Sequence, residues 1–217
     1  MIDPAVQRLN MVESQIRPSD VTDRRVIRAM AAVSRERFVP EALRTIAYAD
    51  QDLPIGEGRA MPAPRLLSRM IQALELGKAD IVLEIATATG YGAAVLGRIA
   101  QTVVAVEEDA RLAELATKTL TDIGADNVAV VTGPLTAGFE QEGPYDAILV
   151  TGAIGIEPAA LLDQLKDGGR MVAVVASGGL GRVVQWRRTG ATFASRTLFE
   201  ASAPVLAGFA RKAEFVF

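Results

Sequence analysis

The stretch Ile81-Val82-Leu83-Glu84-Ile85-Ala86-Thr87-Ala88-Thr89-Gly90-Tyr91 decides the fold. It opens with a short apolar run broken by one acid, continues through small residues, and at Tyr91 enters a segment of helical rhythm. The same order of buried strand, tight turn and helix recurs along the chain. Thr102 to Val106, Val128 to Val131, Ala147 to Val150 and Met171 to Val175 read as further buried strands. Tyr91 to Ala100, Ala110 to Ile123 and Pro158 to Leu165 read as the helices between them. This alternation predicts a doubly wound, mostly parallel α/β sheet covered on both faces, with ligands bound beyond the carboxyl ends of the strands. Further on, Arg182 to Arg188, a Thr189-Gly190 turn and more alternation ending at Phe217 predict an antiparallel C-terminal edge. Trp186 is expected to pack on that edge strand, and Arg182, Arg187 and Arg188 to form a charged edge that discourages strand-to-strand association.

Upstream the rhythm is different. Residues 1–76 read as a helical N-terminal extension and residues 77–217 as the α/β domain, the two forming one compact unit. Asp3 before Pro4 is placed as a cap and first helical residue, and Asp23 caps Val26, Ile27, Met30 and Ala31 at helical spacing. No strand is expected in this region. Pro54, Gly56, Gly58, Pro62 and Pro64 make Asp52 to Pro64 a loop without regular structure.

Composition narrows the chemistry. The 217 residues are half hydrophobic and 23% charged, the proportions of a globular chain rather than a disordered or fibrous one. Twenty-six acids against 23 bases give no global basic excess, so neither a nucleic-acid nor a membrane partner is expected. The absence of Cys removes thiolate nucleophiles, thiolate metal sites and disulfides, and suits a reducing compartment. The absence of His removes the Ser-His-Asp triad and imidazole metal ligands, and no metal site is expected. Asp3 and the lack of an apolar run after it argue against a signal peptide or anchor, which leaves the cytoplasm as the expected location. Oligomeric state stays open.

The turn after Glu84 is where a nucleotide-like cofactor meets backbone N–H groups, and Glu107 ends the next strand 23 residues later, placed to accept from both hydroxyls of a ribose. The same segment also suits a βαβ unit whose Ala and Gly residues merely let helix and strand pack closely. Residues 80 to 91 and 103 to 107 resemble motif I and the following acid of class I S-adenosylmethionine-dependent methyltransferases. Several further stretches narrow the resemblance: Met11 to Ile16, Arg35-Glu36-Arg37-Phe38-Val39-Pro40, Ala47-Tyr48-Ala49-Asp50, Leu53-Pro54-Ile55-Gly56, Pro144-Tyr145-Asp146-Ala147-Ile148 and Leu165 to Arg170. In that order they are similar to the protein-L-isoaspartate O-methyltransferase family over roughly residues 9 to 176. The resemblance implies a Rossmann-like class I methyltransferase fold and S-adenosyl-L-methionine as cofactor. It also implies methyl transfer to the α-carboxylate of isoaspartyl residues in peptides or proteins, a repair reaction. Glu84, Ala86, Thr87, Ala88, Gly90, Tyr91, Glu107, Pro134 and Leu135 occupy the family's cofactor-binding positions, with Glu84 suited to backbone or cofactor-amine contacts.

Three places depart from the family. Its substrate loop carries Thr and Ser hydroxyls where this chain has Arg59, Ala60, Met61 and Pro62, with Ala60 and Pro62 at the hydroxyl positions. Arg59 is then either a carboxylate clamp or a solvated loop arginine. Ala86 and Ala88 stand where motif I has glycine, at a cost of roughly 1 kcal/mol or more if the turn needs positive φ. Gly133-Pro134-Leu135 replaces the family's Gly-Asp-Gly, removing the acid that meets the adenine amino group. Tyr48 and Asp50 are expected to brace the substrate loop. These departures keep two other functions in view: a catalytically degenerate homologue serving as a binding or regulatory module, and a methyltransferase with a different acceptor. A nicotinamide dehydrogenase is disfavoured because the dinucleotide glycines are missing.

Overall fold

The computed structural model describes residues 3–56, 58–177 and 180–211. Glu57 of the expected substrate loop, the first two residues and the last six lie outside the described residues. The capping acids act as expected. Asp3 accepts from the Ala5 amide at the start of α1 (Pro4–Met11), and Asp23 from the Arg25 amide at the start of α2 (Arg24–Ala32). A π-helical turn, Val12–Ile16, continues α1.

The segment expected to be irregular contains a small hairpin, β1 (Leu53–Gly56) and β2 (Arg59–Met61). Proline is tolerated there because a two-stranded ribbon has only edges, so Pro54 withholds its missing N–H from no continuing ladder. Gly56 and Gly58 turn the chain at φ of 102° and 69°. Helix α3 (Pro64–Ala73) follows.

Seven strands form the main sheet, with β3 (Ile81–Ile85), β4 (Thr102–Glu107) and β5 (Val128–Thr132) on one side of the switch point. On the other lie β6 (Tyr145–Ile154), β7 (Leu165–Ser177), β8 (Leu180–Thr189) and β9 (Thr192–Glu200). The order is β5-β4-β3-β6-β7-β8-β9, parallel from β5 to β7 and antiparallel beyond. The doubly wound reading and its antiparallel end are therefore observed. The edge, however, is β9: β8, with Trp186 and the three arginines, is paired on both sides. Arg187 reaches Glu75 and Arg188 the carbonyls of Asp163 and Leu165, so two of the supposed edge charges are tied to neighbouring segments.

Helices α4 (Tyr91–Gly97), α5 (Ala110–Asp122) and α6 (Ala159–Asp163) connect the strands. The last is shorter than expected because Leu165 already belongs to β7. Alternation along the strands divides the core. Val82, Val103, Leu149 and Val172 pack with the N-terminal helices, while Leu83, Val104, Ile148 and Met171 pack with Leu161 and Leu162 of α6. None of the helices among the described residues is long and apolar enough to cross a membrane.

Candidate functional site

The chain turns back on itself between β5 and β6, so the carboxyl ends of β3, β4 and β6 face one crevice. Three consequences of sequence meet there. Glu84 lies one residue from the end of β3, opposite Ala105 on one side and Leu149 on the other. Its carboxylate is fully buried and accepts from the Thr87 hydroxyl at 2.6 Å and the Thr151 hydroxyl at 2.8 Å. Burial pushes this carboxyl up to about 7, opposed by the two hydroxyl donors.

The turn that follows keeps the geometry of a glycine turn without the glycines. Ala86 and Ala88 adopt φ of 66° and 53°, and Gly90 caps α4 at 90°. Any Cβ at Gly90 would meet Leu120 Cδ1 at 3.1 Å and Ala116 at 3.2 Å, so this glycine lets α4 approach α5. Tyr91 is buried, edge-on to Phe38 at 5.5 Å. The guanidinium of Arg35, itself fully buried, lies 4.8 Å from the Tyr91 ring centre. Burial raises the Tyr91 phenol above its usual range.

The alanine strain has a measurable signature. Ala→Gly at an ordinary buried helical position such as Ala94 loses a methyl and helix propensity, about 2 kcal/mol together. At Ala88, relief of about 1–2 kcal/mol of left-handed strain offsets most of that. Urea denaturation is therefore expected to find Ala88→Gly nearly neutral and Ala94→Gly clearly destabilised; equal losses would remove the strain argument.

Glu107 ends β4, and its carboxylate is saturated. It accepts from the Ala88 amide at 2.7 Å, the Glu108 amide at 3.0 Å and the Asp109 amide at 3.2 Å. Arg59, from β2, adds a bidentate fork at 2.9 and 3.0 Å. Side-chain exposure is 8% for Arg59 and 0% for Glu107. The solvated reading of Arg59 is thus overturned: the hairpin brings it inward, and its carboxylate is the protein's own. Glu107 likewise is not a strand-end acid in water. Ala60 pairs with Pro54 across the hairpin, Met61 is buried, and the Pro62 carbonyl accepts from Arg35.

Pro134 is exposed and Leu135 buried in the turn after β5. Leu135 and Ala86 share an apolar cluster with Leu206 and Phe209 of the C-terminal segment. That segment lies along the end of β6: the Ala153 amide donates to the Pro204 carbonyl, and the Leu206 amide returns to the Ala153 carbonyl. Tyr48 and Asp50 brace the surroundings separately. Tyr48 donates to Glu36 and accepts from Arg8, while Asp50 pairs with Arg65. Sequence reasoning did not single out Thr151, Gly92 or the burial of Arg35. Gly92 carried the one usable signal, a glycine inside a helix where alanine is better.

The raised Glu84 carboxyl gives a pH signature. Its folded-state value lies above the unfolded one, so the native chain holds a proton that the unfolded chain releases. That contribution is complete below about 4.5 and lost as pH rises through about 7. Glu84→Gln removes it, so the variant's stability relative to wild type is expected to rise between pH 5 and 7.5 by on the order of 3 kcal/mol. The chain has no histidine, the side chain that ordinarily titrates in that window. Melting temperatures across it, with a pH-independent difference, would exclude the assignment.

Residues 7–202 match the family described as Protein-L-isoaspartate(D-aspartate) O-methyltransferase. A protein-L-isoaspartate O-methyltransferase of Koribacter versatilis (strain Ellin345) is 42% identical over 80% of this chain and 78% of its own length. One of Roseiflexus sp. (strain RS-1) is 39% identical over 98% of both chains. A solved protein-L-isoaspartate O-methyltransferase superposes with a TM-score of 0.84 at 24% identity, over 93% of this chain; the chain spans 66% of that structure's length. A Plasmodium falciparum structure solved in complex with S-adenosyl-L-homocysteine gives a TM-score of 0.79 at 17% identity, covering 92% of this chain and 97% of its own.

Proposed function

Because the chain belongs to the protein-L-isoaspartate(D-aspartate) O-methyltransferase family, we propose that it passes a methyl group from S-adenosyl-L-methionine to the α-carboxylate of isoaspartyl residues in peptides or proteins. The observation that carries this reading is the family match across residues 7–202. The acid-bearing ends of adjacent parallel strands, Glu84 and Glu107, support it. When bound, the cofactor supplies an electrophilic methyl on a sulfonium. The carboxylate oxygen forms the new O–C bond as the S–C bond breaks, leaving a methyl ester and S-adenosylhomocysteine.

A carboxylate is ionised at neutral pH and needs no general base, so the protein's task is alignment and exclusion of water. The missing histidine is no obstacle. In this reading Glu107 serves the ribose, Glu84, Ala86, Thr87, Ala88, Gly90 and Tyr91 the methionine end, and Pro134 and Leu135 the adenine. The residues fit that cofactor only in part. The turn backbone and strand register suit it, but five donors already occupy Glu107, more than a carboxylate's roughly four acceptor positions. We place the protein in the cytoplasm, a reading that cell fractionation tests.

Calorimetric titration of cofactor-free protein with S-adenosylmethionine and S-adenosylhomocysteine comes first, followed by transfer of labelled methyl to an isoaspartyl peptide. Micromolar binding, about -8 kcal/mol, and label in a base-labile ester are expected. Folded protein that binds neither compound would sink the reading. The second reading, a degenerate binding or regulatory module, is favoured by Ala60 and Pro62 in place of hydroxyls. If cofactor binds and the isoaspartyl peptide stays unlabelled, Ala60→Thr with Pro62→Ser separates a limiting loop from a different acceptor.

A further inference from the structure

Arg59 and the ribose of a nucleoside cofactor compete for the same oxygens. Both terminal nitrogens of Arg59 engage both oxygens of Glu107, and the pair is shielded from water. The three backbone amides that also donate to Glu107 belong to the turn after β3 and the start of the loop before α5, so they hold the carboxylate in place whether or not Arg59 stays. Arg59 is therefore the replaceable partner. It rides on a two-stranded ribbon that belongs to no larger sheet. Ala86, Ala88 and Leu135, at the other positions expected to meet the cofactor, are all less than 5% exposed.

We propose that Arg59 is a latch on the cofactor site: its fork covers both oxygens of Glu107, and it must swing away before a ribose diol can be accepted. This rests on the methyltransferase reading above and adds a determinant of cofactor affinity to it. A ligand that requires a minor open form binds with its intrinsic affinity reduced by the fraction open. Removing the fork raises that fraction, and Glu107 keeps three amide donors, so the site survives the change.

The test is calorimetric titration of S-adenosylhomocysteine into wild type, Arg59→Gln and Arg59→Lys, alongside melting curves without ligand. Arg59→Gln is expected to bind at least tenfold more tightly, and to melt at lower temperature when empty because Glu107 has lost its counter-charge. Arg59→Lys, whose ammonium cannot span both oxygens, is expected to fall between the two. Equal affinity in all three proteins overturns the latch while leaving the methyltransferase reading intact. Weaker binding by both variants overturns it by making Arg59 a cofactor ligand. If none of the three binds, the latch and the methyltransferase reading fall together. Should Arg59→Gln not fold, the lysine variant decides on the same criteria.

Discussion

Gly92→Ala is expected to cost about 3 kcal/mol of stability, although alanine is the better helix former. The reason is the face of α4 that Gly92 presents to β3. An added Cβ would stand 3.0 Å from the Glu84 Cδ and overlap its Oε1. Glu84 has nowhere to retreat, since it is fully buried and held by Thr87 and Thr151. The variant must either push α4 off the sheet or pull a carboxylate away from the Thr87 and Thr151 hydroxyls, and a buried acid stripped of donors is costly. A double-mutant cycle isolates the contact. In a Glu84→Ala background the obstruction is gone, and Gly92→Ala should then be neutral or stabilising, with a coupling energy of at least about 2 kcal/mol. Additive losses would mean that the cost comes from elsewhere in the helix.

That contact also marks how far the sequence could be read. Strand order, parallel pairing and the position of the crevice were legible because uninterrupted apolar runs bounded by turns carry their own signal in a sheet covered on both faces. Ala86 and Ala88 were legible as a conformational problem, since a turn built for glycine demands positive φ whatever residue fills it, and both alanines adopt it. The hairpin of Leu53–Gly56 and Arg59–Met61 was not legible, because proline and glycine break long strands but allow a ribbon with two edges. Nor was the partner of Arg59. The guanidinium meets a carboxylate 48 residues away, a distance fixed by where the ribbon lies against the end of β4 and by nothing local to either residue. The residue type makes the arginine able to clamp a carboxylate; which carboxylate is a tertiary question.

The second large effect is expected at Arg35, which links the helical region to the crevice. Its Nε donates to the Ala47 carbonyl at 2.7 Å, one terminal nitrogen donates to the Pro62 carbonyl at 2.6 Å, and the guanidinium plane lies beside the Tyr91 ring. One side chain therefore ties together the segment before β1, the segment after β2 and the first residue of α4. Arg35→Met keeps the length and fills the volume, but leaves two carbonyls without this donor. Each lost bond is worth about 1–3 kcal/mol where the acceptor is buried, and removing a desolvated charge returns part of that. A net loss of about 2–4 kcal/mol in urea denaturation is expected. Arg35→Lys keeps the charge but has one point of donation, so it should recover less than half of the loss. The functional consequence follows from the same geometry. With Pro62 released, the hairpin keeps the Asp52–Ala63 bond but loses the Arg35 tether, so limited proteolysis of Arg35→Met should cut in the hairpin region well before global unfolding. A methionine variant as stable as wild type to within about 0.5 kcal/mol would show that Arg35 is carried by the core and does not organise it.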